Sequence, residues 1–120
     1  MKKISVVTVL VLVTLLATGC QSKISEGSVE GNEKEFTISV TNTTKTYETQ
    51  IEKDTDILVT IKKESGNMAV TIVSSDGAEV YRSDNASSWS FSVTTSKKDT
   101  YKFTVTGNDG KGSVSFKVGK

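Results

Sequence analysis

The sequence lacks histidine and proline altogether, and its 120 residues include a single cysteine, Cys20. Histidine is the usual base near neutral pH, so its absence disfavours most acid–base catalysis. One cysteine cannot form a disulfide within the chain, and a cysteine nucleophile would need a histidine base nearby. Zinc sites need several cysteine or histidine ligands, which are also missing. We therefore expect no catalytic residue, no metal and no cofactor.

A strong excess of charge of one sign is missing too. The chain has 15 Lys and Arg residues against 14 Asp and Glu residues, which gives a net charge of +1. Binding to nucleic acid or to another acidic polymer usually relies on a strongly basic surface. We therefore expect no nucleic-acid partner.

The first residues have the layout of a secretory signal. Lys2 and Lys3 supply positive charge, Ile4–Leu16 form a run of thirteen uncharged residues, and small residues follow. A basic start, a short apolar middle and a small-residue cleavage site are typical of a signal peptide. As a helix the run would be about 20 Å long, which is short for a bilayer core of about 30 Å.

The lone cysteine lies directly after this segment. The stretch "ATGC", ending in Gly19 and Cys20, resembles the bacterial lipobox, in which a diacylglycerol is attached to the cysteine and the chain is cut just before it. Two acyl chains anchor a protein stably, whereas one is marginal. We therefore predict that Cys20 is the lipidated first residue of a mature protein on the outer face of the cell membrane. The alternative is a free thiol in a discarded signal peptide.

The chain divides into three parts by composition. Residues 1–19 form the predicted signal peptide. Residues 20–34 are rich in Ser, Gly, Glu and Lys, which predicts a flexible linker after the lipidated cysteine. Residues 35–120 form the predicted domain, and a length of this kind fits one domain.

From residue 35 onward, apolar and polar residues alternate. This period of two is the signature of a strand with one buried face and one exposed face. The predicted strands are "EFTISV", "TYETQI", "DILVTIK", "MAVTIVS", a short segment at Ala78–Arg82, "SWSFSVT", "TYKFTVTG" and "GSVSFKVG".

Turn residues separate these runs. Ser65-Gly66-Asn67, Asp76-Gly77 and Asn108-Asp109-Gly110 fall between predicted strands. Glycine adopts positive φ at little cost, so such sequences favour hairpins. Eight short strands with one apolar face each predict an all-β fold, an antiparallel β-sandwich of the jelly-roll kind.

The C-terminal half of the chain also resembles a known family. The segments Met68–Val73, Asp76-Gly77, Val80–Ser83, Thr100–Val105 and Ser113–Val118 resemble the bacterial pre-peptidase C-terminal type of β-sandwich. The resemblance implies a non-catalytic accessory module, often extracellular, that binds sugars, protein or calcium in some members. Asp99 stands where that family often has glycine.

Few residues suggest chemistry. Ser96-Lys97 could form a nucleophile and base, but neighbours on a strand point to opposite faces. Glu52, Asp54 and Asp56 alternate, so in an extended chain they share a face and could hold calcium, although a solvated strand end is the stronger interpretation.

The aromatic side chains are the remaining candidates for binding. Trp89, Phe91, Tyr101 and Phe103 fall in phase with their strands, which favours burial in the core over a ligand platform. Val80 and Tyr81 are consecutive, and a strand with two faces can bury only one of them. If Val80 is inside, Tyr81 is exposed, which makes Tyr81 the candidate for contact with a sugar or a protein.

Three functions are compatible with this sequence. The leading hypothesis is a membrane-anchored extracytoplasmic lipoprotein whose β-sandwich is a binding or envelope-interaction module for an unknown protein or glycan. The alternative is a carbohydrate-binding module that tethers cell wall or host glycan, which exposed coplanar aromatic rings would favour. A small hydrolase is the third hypothesis, which the missing bases disfavour.

Overall fold

The structure, a computed structural model, describes residues 25–119. They form seven β-strands, all paired antiparallel, and no helix. The strands are β1 (Glu26–Gly31), β2 (Glu35–Thr41), β3 (Thr44–Ile51), β4 (Asp56–Ser74), β5 (Glu79–Ser83), β6 (Trp89–Thr94) and β7 (Asp99–Val118). The predicted all-β antiparallel sandwich is confirmed.

Two long strands run through both layers of the sandwich. The N-terminal half of β4 and the C-terminal half of β7 pair with each other and with β6 and β2, and β1 pairs with β2. We call this layer the first half-sheet. The other halves of β4 and β7 pair with each other and with β5 and β3, and they form the second half-sheet.

The inner faces of the two half-sheets meet in one apolar core. Phe36 of the first half-sheet lies 5.0 Å from Phe103 of the second, measured between ring centroids, in an edge-to-face arrangement. Phe103 lies 4.8 Å from Phe116. Tyr101, Phe103, Ile57, Ile72 and their alternating neighbours are buried, as the period of two predicts.

Two of the predicted turns are bends within a strand. The pairing of β4 with β7 shifts register between Lys63 and Asn67, opposite Asp109. Gly66 has a φ of +65°, and a Cβ atom there would lie 1.8 Å from the carbonyl oxygen of Asp109. Bulges of this kind bend a strand without ending it. Four predicted strands are therefore two continuous ones, while Asp76-Gly77 does form the turn between β4 and β5.

The predicted linker differs from the structure over Glu26–Gly31. These residues form β1, which pairs along its full length with β2. Their composition is poor in apolar residues, but a strand at the edge of a sheet needs only backbone hydrogen bonds and one partly buried side chain, here Val29. The sandwich thus includes residues before the predicted boundary at residue 35. The predicted signal peptide, residues 1–19, and Cys20 lie outside the described residues.

Candidate binding surface beside strands β5 and β6

Three aromatic rings follow one another at the side of the sandwich where β5 and β6 lie. Tyr81 of β5 lies 4.5 Å from Phe91 of β6, measured between ring centroids. Trp89 stacks on the same Phe91 at 4.5 Å with an interplanar angle of 28°. We call Tyr81, Phe91 and Trp89 the aromatic row. Tyr81 and Phe91 pack against the core, and Trp89 is 52% exposed, so the row runs from the margin of the core into solvent.

The prediction that Trp89 is buried in the core is wrong. Trp89 is in register with Ile61 of β4, which is buried, and directly paired residues share a face of the sheet. The alternation therefore assigned Trp89 to the correct face. Trp89 is nevertheless exposed, because among the described residues β6 pairs only with β4 and is an edge strand of the first half-sheet.

Tyr81 is half-buried rather than fully exposed. Tyr81 is in register with Ile72 and Glu79 with Val73, so Val80 is an extra residue in β5 without a direct partner on β4. A bulge of this kind breaks the strict alternation of side chains. Both Val80 and Tyr81 pack against the core as a result. The expectation that only one of them could turn inward is therefore wrong.

Hydrogen bonds hold the connection between β5 and β6 against the bend in β4. The backbone N–H of Ala86, a buried residue, donates to the carbonyl oxygen of Met68 at 2.8 Å. The N–H of Lys63 donates to the hydroxyl of Ser88 at 2.9 Å. These contacts fix the start of β6, and with it Trp89, relative to the core.

The charges near the aromatic row are paired. The Arg82 guanidinium donates to Glu79 at 2.7 Å and to Asp84 at 3.2 Å. The hydrogen bond to Glu79, followed by the charge of Asp84, raises the pKa of Arg82. Strand β6 itself has no charged residue. The row itself is therefore apolar, and the three charges beside it, one positive and two negative, leave one net negative charge. The rings suit an apolar face of a ligand.

A cluster of charges ties the hairpin between β4 and β5 to the turn before β7. Lys97 donates to Asp76 at 2.6 Å and lies 3.6 Å from Asp99. Ser75 donates to Asp99 through its hydroxyl at 2.6 Å and through its backbone N–H at 3.2 Å. The pKa of Asp76 is lowered by the hydrogen bond from Lys97, followed by those from Ser74 and Ala78. The pKa of Asp99 is lowered mainly by the hydrogen bond from the Ser75 hydroxyl.

This cluster bears on the Ser96-Lys97 pair. The hydrogen bond to Asp76 raises the pKa of Lys97, whereas a lysine that acts as a base needs a lowered one. Lys97 is therefore held in its charged form by two carboxylates. Its geometry is that of a structural ion pair.

The three alternating acidic residues do not share a strand face. Lys53 and Asp54 form a turn between β3 and β4, and Asp54 has a φ of 57°. Asp56 accepts a hydrogen bond from Thr94 at 2.7 Å. Residues 52–56 therefore lack the extended arrangement that the calcium alternative requires. Within residues 25–119, no group of three or more Asp, Glu, His or Cys residues could hold a metal ion.

An open groove of about 700 Å³ lies beside β1 and the bends of the long strands. Two carboxylates line it, Glu26 and Glu64. Both are exposed, and Glu64 lies 3.6 Å from Lys111. Acid–base catalysis by two carboxylates depends on surroundings that differ strongly between them. This groove exposes both to the same solvent, so it does not have the character of a hydrolase site.

The predicted lipidation site lies outside the described residues. In the part of the chain that the structure covers, no helix is both long enough and apolar enough to cross a membrane.

Comparison with known proteins supports the fold. No protein-family model matches the chain, and no curated protein matches it. Among solved structures, the chain is similar to PliG of Aeromonas hydrophila, described as a periplasmic lysozyme inhibitor of g-type lysozyme. The two share 12% sequence identity with a TM-score of 0.51, over 82% of this chain and 90% of that one. At this identity the likeness is one of fold. The resemblance to the pre-peptidase C-terminal type stays a prediction.

The structure brings together only some of the residues that the sequence analysis singled out. Trp89, Phe91 and Tyr81 form one surface, although only Tyr81 was expected to be exposed. The common face of Trp89 and Phe91 on β6 could be predicted from the alternation of "SWSFSV". The contact of Tyr81 with Phe91 across β5 and β6 could not be predicted, because it depends on which strands are neighbours in the sandwich.

Proposed function

We propose that this protein is a lipid-anchored extracytoplasmic lipoprotein whose β-sandwich is non-catalytic and binds another protein. The observation that carries the binding part is the aromatic row, and above all Trp89, which is 52% exposed although it stacks on Phe91. Exposed tryptophan and tyrosine are enriched at protein interfaces, where they bury large area with few rotatable bonds.

The anchoring part rests on the start of the chain. Lys2 and Lys3, the apolar run of residues 4–16 and the Gly19-Cys20 junction together suit a lipoprotein signal. We expect Cys20→Ala to stay unprocessed and to lose its lipid, which mass spectrometry and membrane fractionation measure. An unmodified Cys20 in the wild-type protein would contradict the anchoring.

The proposal that the domain is non-catalytic rests on the state of the residues that could act as a catalytic base. The chain has no histidine, and the lysine of Ser96-Lys97 is engaged by Asp76 and Asp99. A protein partner is further suggested by PliG, which has a similar fold and is described as an inhibitor of a lysozyme. That description concerns PliG, and here it supports only the class of partner.

Photo-crosslinking in the native envelope tests the binding surface. A photoreactive amino acid replaces Trp89 in one variant and Leu58 in the control. Leu58 is a suitable control because, within residues 25–119, it is the other large exposed apolar side chain, 42% exposed, and it lies on β4. We expect a defined protein adduct from position 89 and none from position 58. Equal labelling at both positions, or none at either, would rule out this surface.

A glycan is the second candidate ligand, because stacked and exposed rings such as Trp89 on Phe91 also suit the flat face of a sugar. Titration with purified cell-wall polysaccharide tests it, with the emission of Trp89, the only tryptophan, as the readout. We expect a shift of the emission band if a sugar covers the indole. An unchanged band at saturating polysaccharide would exclude the glycan.

A further inference from the structure

Strand β6 differs from the other edge strands of the sandwich. Within residues 25–119, four strands pair on one side only, namely β1, β3, β5 and β6. Three of them carry charges: Glu26 and Glu30 on β1, Lys45 and Glu48 on β3, Glu79 and Arg82 on β5. β6, with the sequence "WSFSVT", has no charge, no glycine and no bulge in its pairing with β4. Charges and bulges are the devices that protect edge strands from pairing.

We propose that β6 pairs antiparallel with β6 of a second copy of this chain, so that one sheet continues across both copies. Antiparallel partners share a face, so the side chains of Trp89, Phe91 and Val93 must lie opposite one another. Pairing centred on Phe91 satisfies this requirement. It brings Trp89 opposite Val93 of the second copy and Ser90 opposite Ser92.

The absence of charge on β6 of both copies favours this occupant. In the register centred on Phe91, apolar side chains lie opposite apolar ones and serines lie opposite serines, and no charged side chain of β6 loses water because there is none. The edges of β1, β3 or β5 would instead bring a charged residue against the uncharged β6. Among the described strands, the matching uncharged edge is therefore β6 itself.

The symmetry of the pair also closes the assembly. A contact between the same strand of two copies is isologous. It pairs the free edge of β6 in both copies, so it does not continue into a filament through β6. Side chains stand roughly perpendicular to a sheet. The Trp89 and Phe91 rings of both copies would then form one continuous apolar surface, twice as long as in a single copy, and the pairing edge would not cover it.

The membrane would favour the pair further, and this step alone rests on the proposed function. Two chains anchored through Cys20 share a surface, which raises their effective concentration over that of chains in solution. Pairing through β6 itself requires no lipid.

Two lysines on β6 test the pairing. Ser90 and Ser92 are exposed, so Ser90→Lys with Ser92→Lys should fold, and each lysine would then lie opposite a lysine of the second copy. The matched control is Thr46→Lys with Gln50→Lys, which adds the same charge to exposed positions of β3. Folding of each variant is checked by circular dichroism and thermal unfolding.

Sedimentation velocity of the full chain, in enough detergent for at most one chain per micelle, measures association. We expect the wild type and the β3 control to shift from monomer to dimer as concentration rises, and the β6 variant to stay monomeric. A wild type that is monomeric at every concentration, or a dimer that persists in the β6 variant, would overturn the proposal.

A disulfide in intact membranes gives a second test that does not depend on the lysine variant. In a chain with Ser90→Cys and Ser92→Cys, oxidation should link two copies and give a band of twice the chain mass, since opposite Cβ atoms in such a pair lie about 4.5–5.5 Å apart. Thr46→Cys with Gln50→Cys on β3 is the control. No dimer band, or equal bands from both, would contradict pairing through β6. If the anchoring failed, Cys20 would keep a free thiol that can itself form disulfides. This case is recognised by loss of lipid from Cys20 together with an unchanged shift from monomer to dimer in sedimentation velocity.

Discussion

On each lateral side of the sandwich, two aromatic rings from different strands pack together. On one side this contact includes a fully buried ring, and on the other it continues to a ring that reaches into solvent. On one side Phe36 of β2 lies 4.3 Å from Tyr47 of β3, and Phe36 is fully buried. On the other side Tyr81 lies 4.5 Å from Phe91, and the next ring in the row, Trp89, is 52% exposed. We call these the closed side and the open side. The chemistry of the side chains is alike, so it does not explain the difference.

The difference comes from the number of neighbouring strands. β2 has β1 on one side and β7 on the other, so Phe36 lies between Gly31 and Phe116. β6 has β4 on one side and no strand on the other among the described residues. Alternation decides which face a side chain occupies, whereas the neighbours of its strand decide whether that face is covered. Trp89, on the edge strand β6, is therefore available for binding, whereas Phe36, one strand further in, stabilises the fold.

The largest expected effect comes from breaking the closed side. Phe36→Ala removes a buried ring that contacts Tyr47, Phe103 and Phe116, and we expect it to lower the free energy of unfolding by about 3–5 kcal/mol. Urea unfolding measures the change, with Thr46→Ala on the exposed face of β3 as the control. A loss under about 1 kcal/mol would mean that the closed side contributes little more than a surface.

Phe91→Ala should have a smaller effect. Phe91 is half-buried and contacts both Tyr81 and Trp89, so its loss removes part of a core and two ring contacts. We expect a loss of about 2 kcal/mol in urea unfolding. A loss as large as that of Phe36→Ala would show that the open side is packed as tightly as the closed one.

Trp89→Ala should destabilise the fold less again. The indole is half in solvent and its main ring contact is Phe91, so we expect a loss of about 1 kcal/mol or less. The emission of this sole tryptophan should also be quenched by acrylamide in the monomer. If Trp89→Ala lowered the free energy of unfolding by several kcal/mol and the wild type had a blue-shifted emission band that acrylamide does not quench, the indole would be covered. The two sides would then not differ in exposure.

The smallest expected effect concerns the charge cluster at the end of the open side. The pKa values of Asp76 and Asp99 are lowered in the folded state, so both carboxylates stabilise the fold at pH values above their unfolded pKa of about 4. This stabilisation is lost as the pH falls below that value, because protonation ends the interactions with Lys97 and Ser75.

Thermal unfolding between pH 6 and pH 2 measures this effect. We expect the midpoint to fall with acid, and to fall less steeply in Lys97→Met, which lacks the partner of Asp76. Because Asp76 and Lys97 are exposed, solvent screens their charges and the difference should be small. Identical acid dependence in the two proteins would show that the cluster does not stabilise the end of the open side.

The mismatches in where strands begin and end share one cause. "EGSVEG" was predicted to be linker and forms β1, and the segments around Gly66 and Asp109 were predicted to be turns and lie within β4 and β7. In each case local composition favoured a break in structure. The backbone of a neighbouring strand, distant in sequence, supplied hydrogen bonds that local composition does not report.

The sequence by itself determined which residues lie on the inner face of β2, β3, β6 and the two halves of β4 and β7, because side chains alternate with a period of two whatever the partner. It therefore predicted the all-β fold, the buried faces of β2, β4 and β7, and the common face of Trp89 and Phe91. Only the tertiary structure decided that β6 is an edge strand, that Tyr81 pairs with buried Ile72 while the bulge lets Val80 also pack inward, and that these rings meet. Strand order and bulges arise from pairing between distant segments, and a pattern within one segment does not specify its neighbours.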